Sequence, residues 1–230
     1  MTPVVLLPGM MCDARMWGPV MGAFSGRTVL HGALTAADTM AGLAAGVLAL
    51  APPRFALAGL SMGGIVAMEM LTQAPERVER LALLDTNPRA ETAEVKARRA
   101  PQIARALSGD LAGLMRDEMK PNYLAQTRDR GAILDLCMAM ALDLGPAVFA
   151  RQSAALRDRA DRQATLAAFR GPALVLMGEE DRPCPRERHE LMHRLMPQSR
   201  LVVIPGAGHL PVLEKPRETA AELRRWLEMP

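Results

Sequence analysis

Short continuous apolar runs alternate with helix-period stretches along this chain, and the two patterns predict alternating strands and helices. Residues 3–7 include Val4-Val5-Leu6-Leu7, a run that predicts a strand buried on both faces. A loop follows at Pro8-Gly9-Met10-Met11-Cys12-Asp13. Residues 27–31 predict a weaker strand. Residues 38–50 predict a helix of small residues, capped near Thr35 or Asp38 and ended by Pro52-Pro53. Phe55–Leu60 predicts the next strand, and 64–71 the helix after it. Val78–Leu84 predicts another strand, ending at Asp85. A strand at 173–177 comes much later, then a helix around 185–196 stopped by Pro197. Residues 201–204 predict the last strand, and Pro216–Glu228 a helix that starts on proline.

Strand–helix alternation of this kind predicts an α/β fold, with a mostly parallel sheet of about six strands flanked by helices. Residues 88–171 break the rhythm. They hold no convincing strand and predict several helices, punctuated by Gly109, Pro121, Gly131 and Gly145-Pro146. The expected organisation is a core from 1–87 and 172–230, with 88–171 inserted over it before the penultimate strand.

Composition narrows the function classes. The 230 residues are 50% hydrophobic and 23% charged, which suits one globular domain with a sizeable core. Aromatics make up only 3% against 17 methionines, so methionine is expected to fill core and pocket positions. The formal charge of +3 is too small to suggest nucleic-acid binding, and no basic run is interleaved with aromatics. The excess sits in the inserted segment, which has fourteen Lys/Arg against ten Asp/Glu. Cys12, Cys137 and Cys184 are scattered with no Cys-x-x-Cys pair, the usage of a reduced cytoplasmic protein. The N-terminus enters a strand at once and has no signal-peptide pattern. No segment is read as long and apolar enough to span a bilayer, so no membrane partner is expected.

The candidate chemistry starts at Gly59-Leu60-Ser61-Met62-Gly63. The pentapeptide gains its weight from its flanks, a predicted strand before it and a helix after it. A serine on that sharp turn stands clear of the sheet, and glycines two residues away on either side relieve the crowding of strand against helix. Such a serine attacks a carbonyl when a histidine and an acid reach it. His209 follows the last predicted strand in a loop of small residues, and Asp181 follows the strand at 173–177. Both lie at C-terminal strand ends, where sites gather in open α/β sheets. Asp85, Glu179 and Glu180 compete with Asp181 for the acid role, and Asp85 stands next in preference. Cys184 has no evident base and is expected to be structural.

Taken together, LLPGMMCDARMW at 6–17, GLSMGG at 59–64, GEEDRPCP at 178–185 and GAGHLPVLEKP at 206–216 resemble the α/β-hydrolase family over nearly the whole chain. The resemblance implies a Ser61–Asp181–His209 triad and a helical lid at 88–171, with the family's usual first two strands absent. By position, it implies an oxyanion hole built from the N–H groups of Met10 and Met62. The family often carries His-Gly at the first loop where this chain has Pro8-Gly9; His31-Gly32 is a rival match on a weaker strand. Met11, Met138, Phe149 and Leu210 are expected to line the substrate pocket. No cofactor and no metal are expected.

The expected activity is hydrolysis of a carboxylic ester, with close resemblance to carboxylesterases and to pimeloyl-acyl-carrier-protein methyl ester esterases. The substrate would be a small molecule, free or presented on an acidic carrier protein. The same triad also serves carbon–carbon bond hydrolysis, enol-lactone hydrolysis and cofactor-free perhydrolysis, and the fold also serves as a non-catalytic ligand receptor. One motif points elsewhere. His189-Glu190-Leu191-Met192-His193 matches the zinc-protease pattern His-Glu-x-x-His, with Glu214 imaginable as a third ligand. Leu191, Met192, Leu195 and Met196 are read as the buried face of that helix, which leaves both histidines on its flank and away from the site.

Overall fold

The apolar runs form six strands: β1 (Val4–Leu7), β2 (Val29–His31), β3 (Phe55–Leu60), β4 (Val78–Leu84), β5 (Ala173–Gly178) and β6 (Arg200–Ile204). They lie in the order β2-β1-β3-β4-β5-β6, and every neighbouring pair is parallel. The expected α/β fold with a six-stranded parallel sheet is what the computed structural model shows, and it describes residues 1–126 and 129–230. The helices are α1 (Met40–Leu50), α2 (Met62–Gln73), α3 (Ala93–Arg105), α4 (Leu111–Leu114), α5 (Arg130–Arg157), α6 (Gln163–Ala168), α7 (Arg186–Leu195), α8 (Pro211–Glu214) and α9 (Pro216–Glu228).

Side chains alternate across a strand, so each central strand supplies two cores. Val5, Leu7, Leu57, Leu81, Leu83 and Val175 face a core completed by α1, α2 and Met192 of α7. Val4, Leu6, Ala58, Leu60, Leu84, Leu174 and Leu176 face the other, completed by residues 14–24 and α9. Both faces are covered, which is why these strands read as unbroken apolar runs rather than alternating ones.

Local chemistry moves some predicted boundaries. Helix α1 starts at Met40, and its cap is Thr39, whose hydroxyl accepts from Gly42 N–H at 3.1 Å. Ala14–Phe24 forms a tight 3-10 helix for which the sequence pattern predicts no element. Two glycines and Pro19 hide its periodicity, yet Met16, Trp17, Val20 and Phe24 reach the second core. Trp17 and Trp226 are both fully buried there. Truncating either to alanine is worth about 3–5 kcal/mol.

Helix α5 corrects the reading that no segment is long and apolar enough to cross a bilayer: by length and mean hydropathy it qualifies. Its backbone, however, breaks at Gly145, with φ 77° and ψ 173° just before Pro146. A residue before proline is pushed out of the helical region, and glycine accepts the positive φ. Each half is shorter than the ~20 residues of a spanning helix. Ile133, Cys137, Met140 and Phe149 are buried in the two cores. Among the described residues, every regular element between β4 and β5 is a helix, and α6 at the end of the segment packs against α2 and α7.

Candidate active site

Ser61 is the single residue between β3 and α2, held at φ 53° and ψ −116°. Its N–H donates to Leu84 O at 2.9 Å, and its carbonyl accepts from Thr86 Oγ1 at 2.7 Å, so the turn is tied to β4 on both sides. The two flanking glycines are required by space. A Cβ on Gly59 would sit 2.3 Å from Gly63 O, and one on Gly63 would sit 2.2 Å from Leu7 O. Strand, turn and helix therefore close only with hydrogen at both positions.

The loop after β6 carries His209, which is 4% exposed. Its Nε2 lies 2.9 Å from Ser61 Oγ, and its Nδ1 lies 2.8 Å from Asp181 Oδ1. The loop after β5 carries Asp181, whose Oδ1 also accepts from Cys184 N–H at 3.0 Å. Burial pushes the Asp181 carboxyl up, but His209 and these hydrogen bonds outweigh it and hold the group below its ordinary value. Asp85 does not reach His209. It sits at the end of β4 with φ 46°, fully buried, and its Oδ1 accepts from Gly178 N–H at 2.9 Å. Glu179 turns outward to accept from Gly206 N–H.

The loop after β1 supplies the facing backbone. Met11 takes a positive φ of 54°, and its N–H donates to the Oε1 of Gln152 at 2.8 Å. The Nε2 of Gln152, a fully buried residue on α5, donates in turn to Leu34 O at 2.8 Å. Met10 N–H has no protein acceptor among the described residues. Met62 opens α2, so its N–H is one of the amides that a helix start leaves without an internal acceptor. Met10, Ser61, Met62 and His209 all line one cavity of about 480 Å³. That volume suits a small organic ligand.

The cavity walls differ from the expected ones. Met11 and Phe149 are packed in the first core with Met138 against it, and Leu210 is in the second; none of the four lines the cavity. Their apolar character is used up in joining the inserted helices to the sheet. The apolar wall instead comes from Met10, Met62, Ile65, Val95, Met119, Tyr123 and Leu156. Its charged lining is Arg89, Arg98, Arg99, Arg159, Arg182 and Arg188 against Glu91 and Glu118. Glu91 is buried between Arg99 at 2.5 Å and Arg159 at 3.4 Å. Arg99 Nη1 also lies 3.8 Å from Met10 Sδ, which puts this cluster beside the loop that faces Ser61. His31 ends the edge strand β2, Gly32 follows it, and neither lines the cavity.

The zinc-protease pattern does not converge on a shared site. His193 Nδ1 lies 2.8 Å from Ser199 Oγ. His189 has no such partner and is fully buried beside Asp85 and Asp181, which corrects its expected place on the helix flank. Glu214 is committed as an acceptor of three backbone N–H groups, from Gly208 at 3.0 Å, Leu210 at 3.1 Å and Ala125 at 2.8 Å. It thereby fixes the His209 loop and ties it to the inserted segment. The sequence reading missed this role, and that of Gln152; a lone acid and a lone amide give no pattern to find. Cys184 is buried, and burial beside Asp181 pushes its thiol up, so it is a poor nucleophile.

Known proteins of the same build can be set beside this geometry. A family model described as "Alpha/beta hydrolase family" matches residues 4–222. The chain is 26% identical to a pimeloyl-[acyl-carrier protein] methyl ester esterase of Nitrosomonas europaea, covering 94% of this chain and 91% of that protein. It is 28% identical to one of the same name from Edwardsiella ictaluri, covering 96% and 91%. A thermophilic esterase from Thermogutta terrifontis, solved with malate bound, superposes with a TM-score of 0.90 at 31% identity, covering 99% of this chain and 90% of that one.

Proposed function

The chain belongs to the alpha/beta hydrolase family, and on that premise we propose that it is a serine hydrolase that cleaves carboxylic esters of a small or medium acyl group. One observation carries this reading. Ser61 Oγ, His209 and Asp181 form an unbroken hydrogen-bonded run with links of 2.9 and 2.8 Å, and it opens on the cavity. The relatives and the solved neighbour named as esterases support the same bond class.

His209 takes the proton of Ser61 as the oxygen attacks the ester carbonyl. The N–H groups of Met10 and Met62 hold the oxyanion; one such donor is typically worth about 3–4 kcal/mol of barrier. His209 returns the proton to the leaving alcohol, then activates water to release the acyl group. Asp181 keeps the Nδ1–H tautomer and stabilises the imidazolium. The chemistry needs no metal or organic cofactor. Residues 88–171 act as a lid that roofs the cavity, and the three buried thiols suit a reducing cytoplasm.

Substrate choice follows from the charged wall. Six arginines against two glutamates favour an acyl group with its own carboxylate, or one offered by an acidic carrier. The relatives named for an ester on acyl-carrier protein fit that preference. Labelling with a fluorophosphonate probe tests the nucleophile: wild type is expected to label and Ser61→Ala not. Equal labelling of both would end this reading. An ester panel of graded acyl length then fixes the acyl group.

A further inference from the structure

Behind the Asp181 carboxylate lies a buried cluster of unpartnered polar atoms. Asp85 Oδ2, Asp181 Oδ2 and both ring nitrogens of His189 have no hydrogen-bond partner among the described residues. Asp85 and His189 are fully buried and Asp181 is 5% exposed. One polar atom from each of the three lies within 4.8 Å of the other two. Asp85 is held there rigidly. Its N–H donates to Leu176 O at 3.0 Å and its Oδ1 accepts from Gly178 N–H at 2.9 Å, while Oδ2 has no partner among the described residues.

Two carboxylates this close and this deeply buried oppose each other's ionisation, which favours a proton on one of them. Asp181 faces His209 and takes two N–H donors, which favours its charged form. Asp85 faces no cation. Burial and the neighbouring Asp181 hold its carboxyl well above the ordinary range, and Glu214 adds to this. Neutral His189 offers no balancing charge, because burial pushes it down to about 4. The remaining titratable groups around the cluster are His209, Cys184 and Arg188; Arg188 acts on His189 and Cys184.

We propose that Asp85 is a positioning residue that stays protonated at neutral pH, its carboxyl O–H donating to Asp181 Oδ2 and so fixing the Asp181 carboxylate against the His209 ring. His189 closes the pocket to water in its neutral form. The proton stays on the carboxyl pair through the cycle, and no bond to substrate involves it. A buried acid kept neutral so that it can donate is a known device of active sites. This role rests on Asp181 being the acid of the proposed triad.

The test compares Asp85→Leu with Asp85→Asn, using hydrolysis of p-nitrophenyl butyrate. Leucine removes the donor, and kcat is expected to fall by about 10–100-fold with KM little changed, since misplaced catalytic groups cost rate rather than binding. Asparagine reproduces both contacts: its oxygen accepts from Gly178 and its N–H₂ donates to Asp181. It is expected to restore most of the lost rate and to leave the acid limb of the kcat/KM–pH profile where the wild type has it. Were Asp85 ionised, asparagine would delete a negative charge near His209, and that limb would move down by about half a pH unit or more. That shift would overturn the proposal. So would stoichiometric bound metal in the purified protein, lost on Asp85→Asn. Infrared spectra of the resting protein read the proton directly. A carboxylic-acid C=O band at pH 7, absent in Asp85→Asn, is expected; its absence from the wild type overturns the assignment. The band does not depend on turnover, so it separates failure of this proposal from failure of the esterase reading, which the Ser61→Ala labelling decides.

Discussion

Ser61 is held in a left-handed conformation that a residue with a Cβ enters at a cost of about 1–3 kcal/mol. Its two ties to β4, from the backbone of Leu84 and the hydroxyl of Thr86, keep it there. Met11 and Asp85 also take a positive φ, in the loops that follow β1 and β4. His189 is strained differently, by burial without partners. Its folded pKa, pushed down to about 4 from 6.5, lies below the unfolded value. The stability held by its neutral form is therefore complete above pH 6.5 and is lost as pH falls towards 4. The full loss is of order 3 kcal/mol. His189→Leu is expected to lose less melting temperature than wild type over that window. Parallel curves for the two proteins would show that His189 does not titrate this way.

At the scale of elements, the site is held by contacts between loops rather than by any one helix. Glu214, at the end of α8, accepts from Gly208 and Leu210 beside His209 and from Ala125 in the inserted segment. Burial pushes its carboxyl up, against the pull of those three donors. Glu214→Gln keeps the shape but turns an N–H₂ towards backbone N–H groups. The His209 loop is expected to loosen, slowing fluorophosphonate labelling about tenfold and costing about 1–3 kcal/mol of stability. An unchanged labelling rate would remove Glu214 from the positioning apparatus. Gln152 does the corresponding work for the Met10–Met11 loop from α5. Both ties run from the segment between β4 and β5, so the proposed lid is also part of the scaffold of the site.

For the molecule as a whole, charge is distributed unevenly. The cavity collects arginines from both sides, Arg89, Arg98, Arg99 and Arg159 from the inserted segment and Arg182 and Arg188 from the core. Glu91 neutralises part of this charge between two half-buried guanidiniums. Arg182→Glu is expected to raise KM several-fold for a half-ester of a dicarboxylic acid, and to leave a neutral ester of equal length unchanged, since it alters attraction at the cavity mouth and not the chemistry. Added salt should narrow the difference between the two substrates, because exposed charges are screened over about 8–10 Å. Identical salt dependence for both esters would count against an anionic substrate.

Much of this was legible along the chain. Continuous apolar runs marked the strands, because a sheet covered on both faces buries every side chain of a central strand. Gly59 and Gly63 marked the serine turn, because a Cβ at either would meet backbone within 2.3 Å. The apolar pattern repeats along each strand and Gly59 meets Gly63 only four residues on, so the local sequence exposes both, although Gly63 also answers to Leu7 on the neighbouring strand. The tertiary structure alone decided which carboxylate meets His209, that His189 is sealed behind it, and that six arginines line the cavity while Met138 and Phe149 do not. Each of those depends on side chains from separate loops competing for the same small space. Burial and charge settle that competition, and no local periodicity records its result.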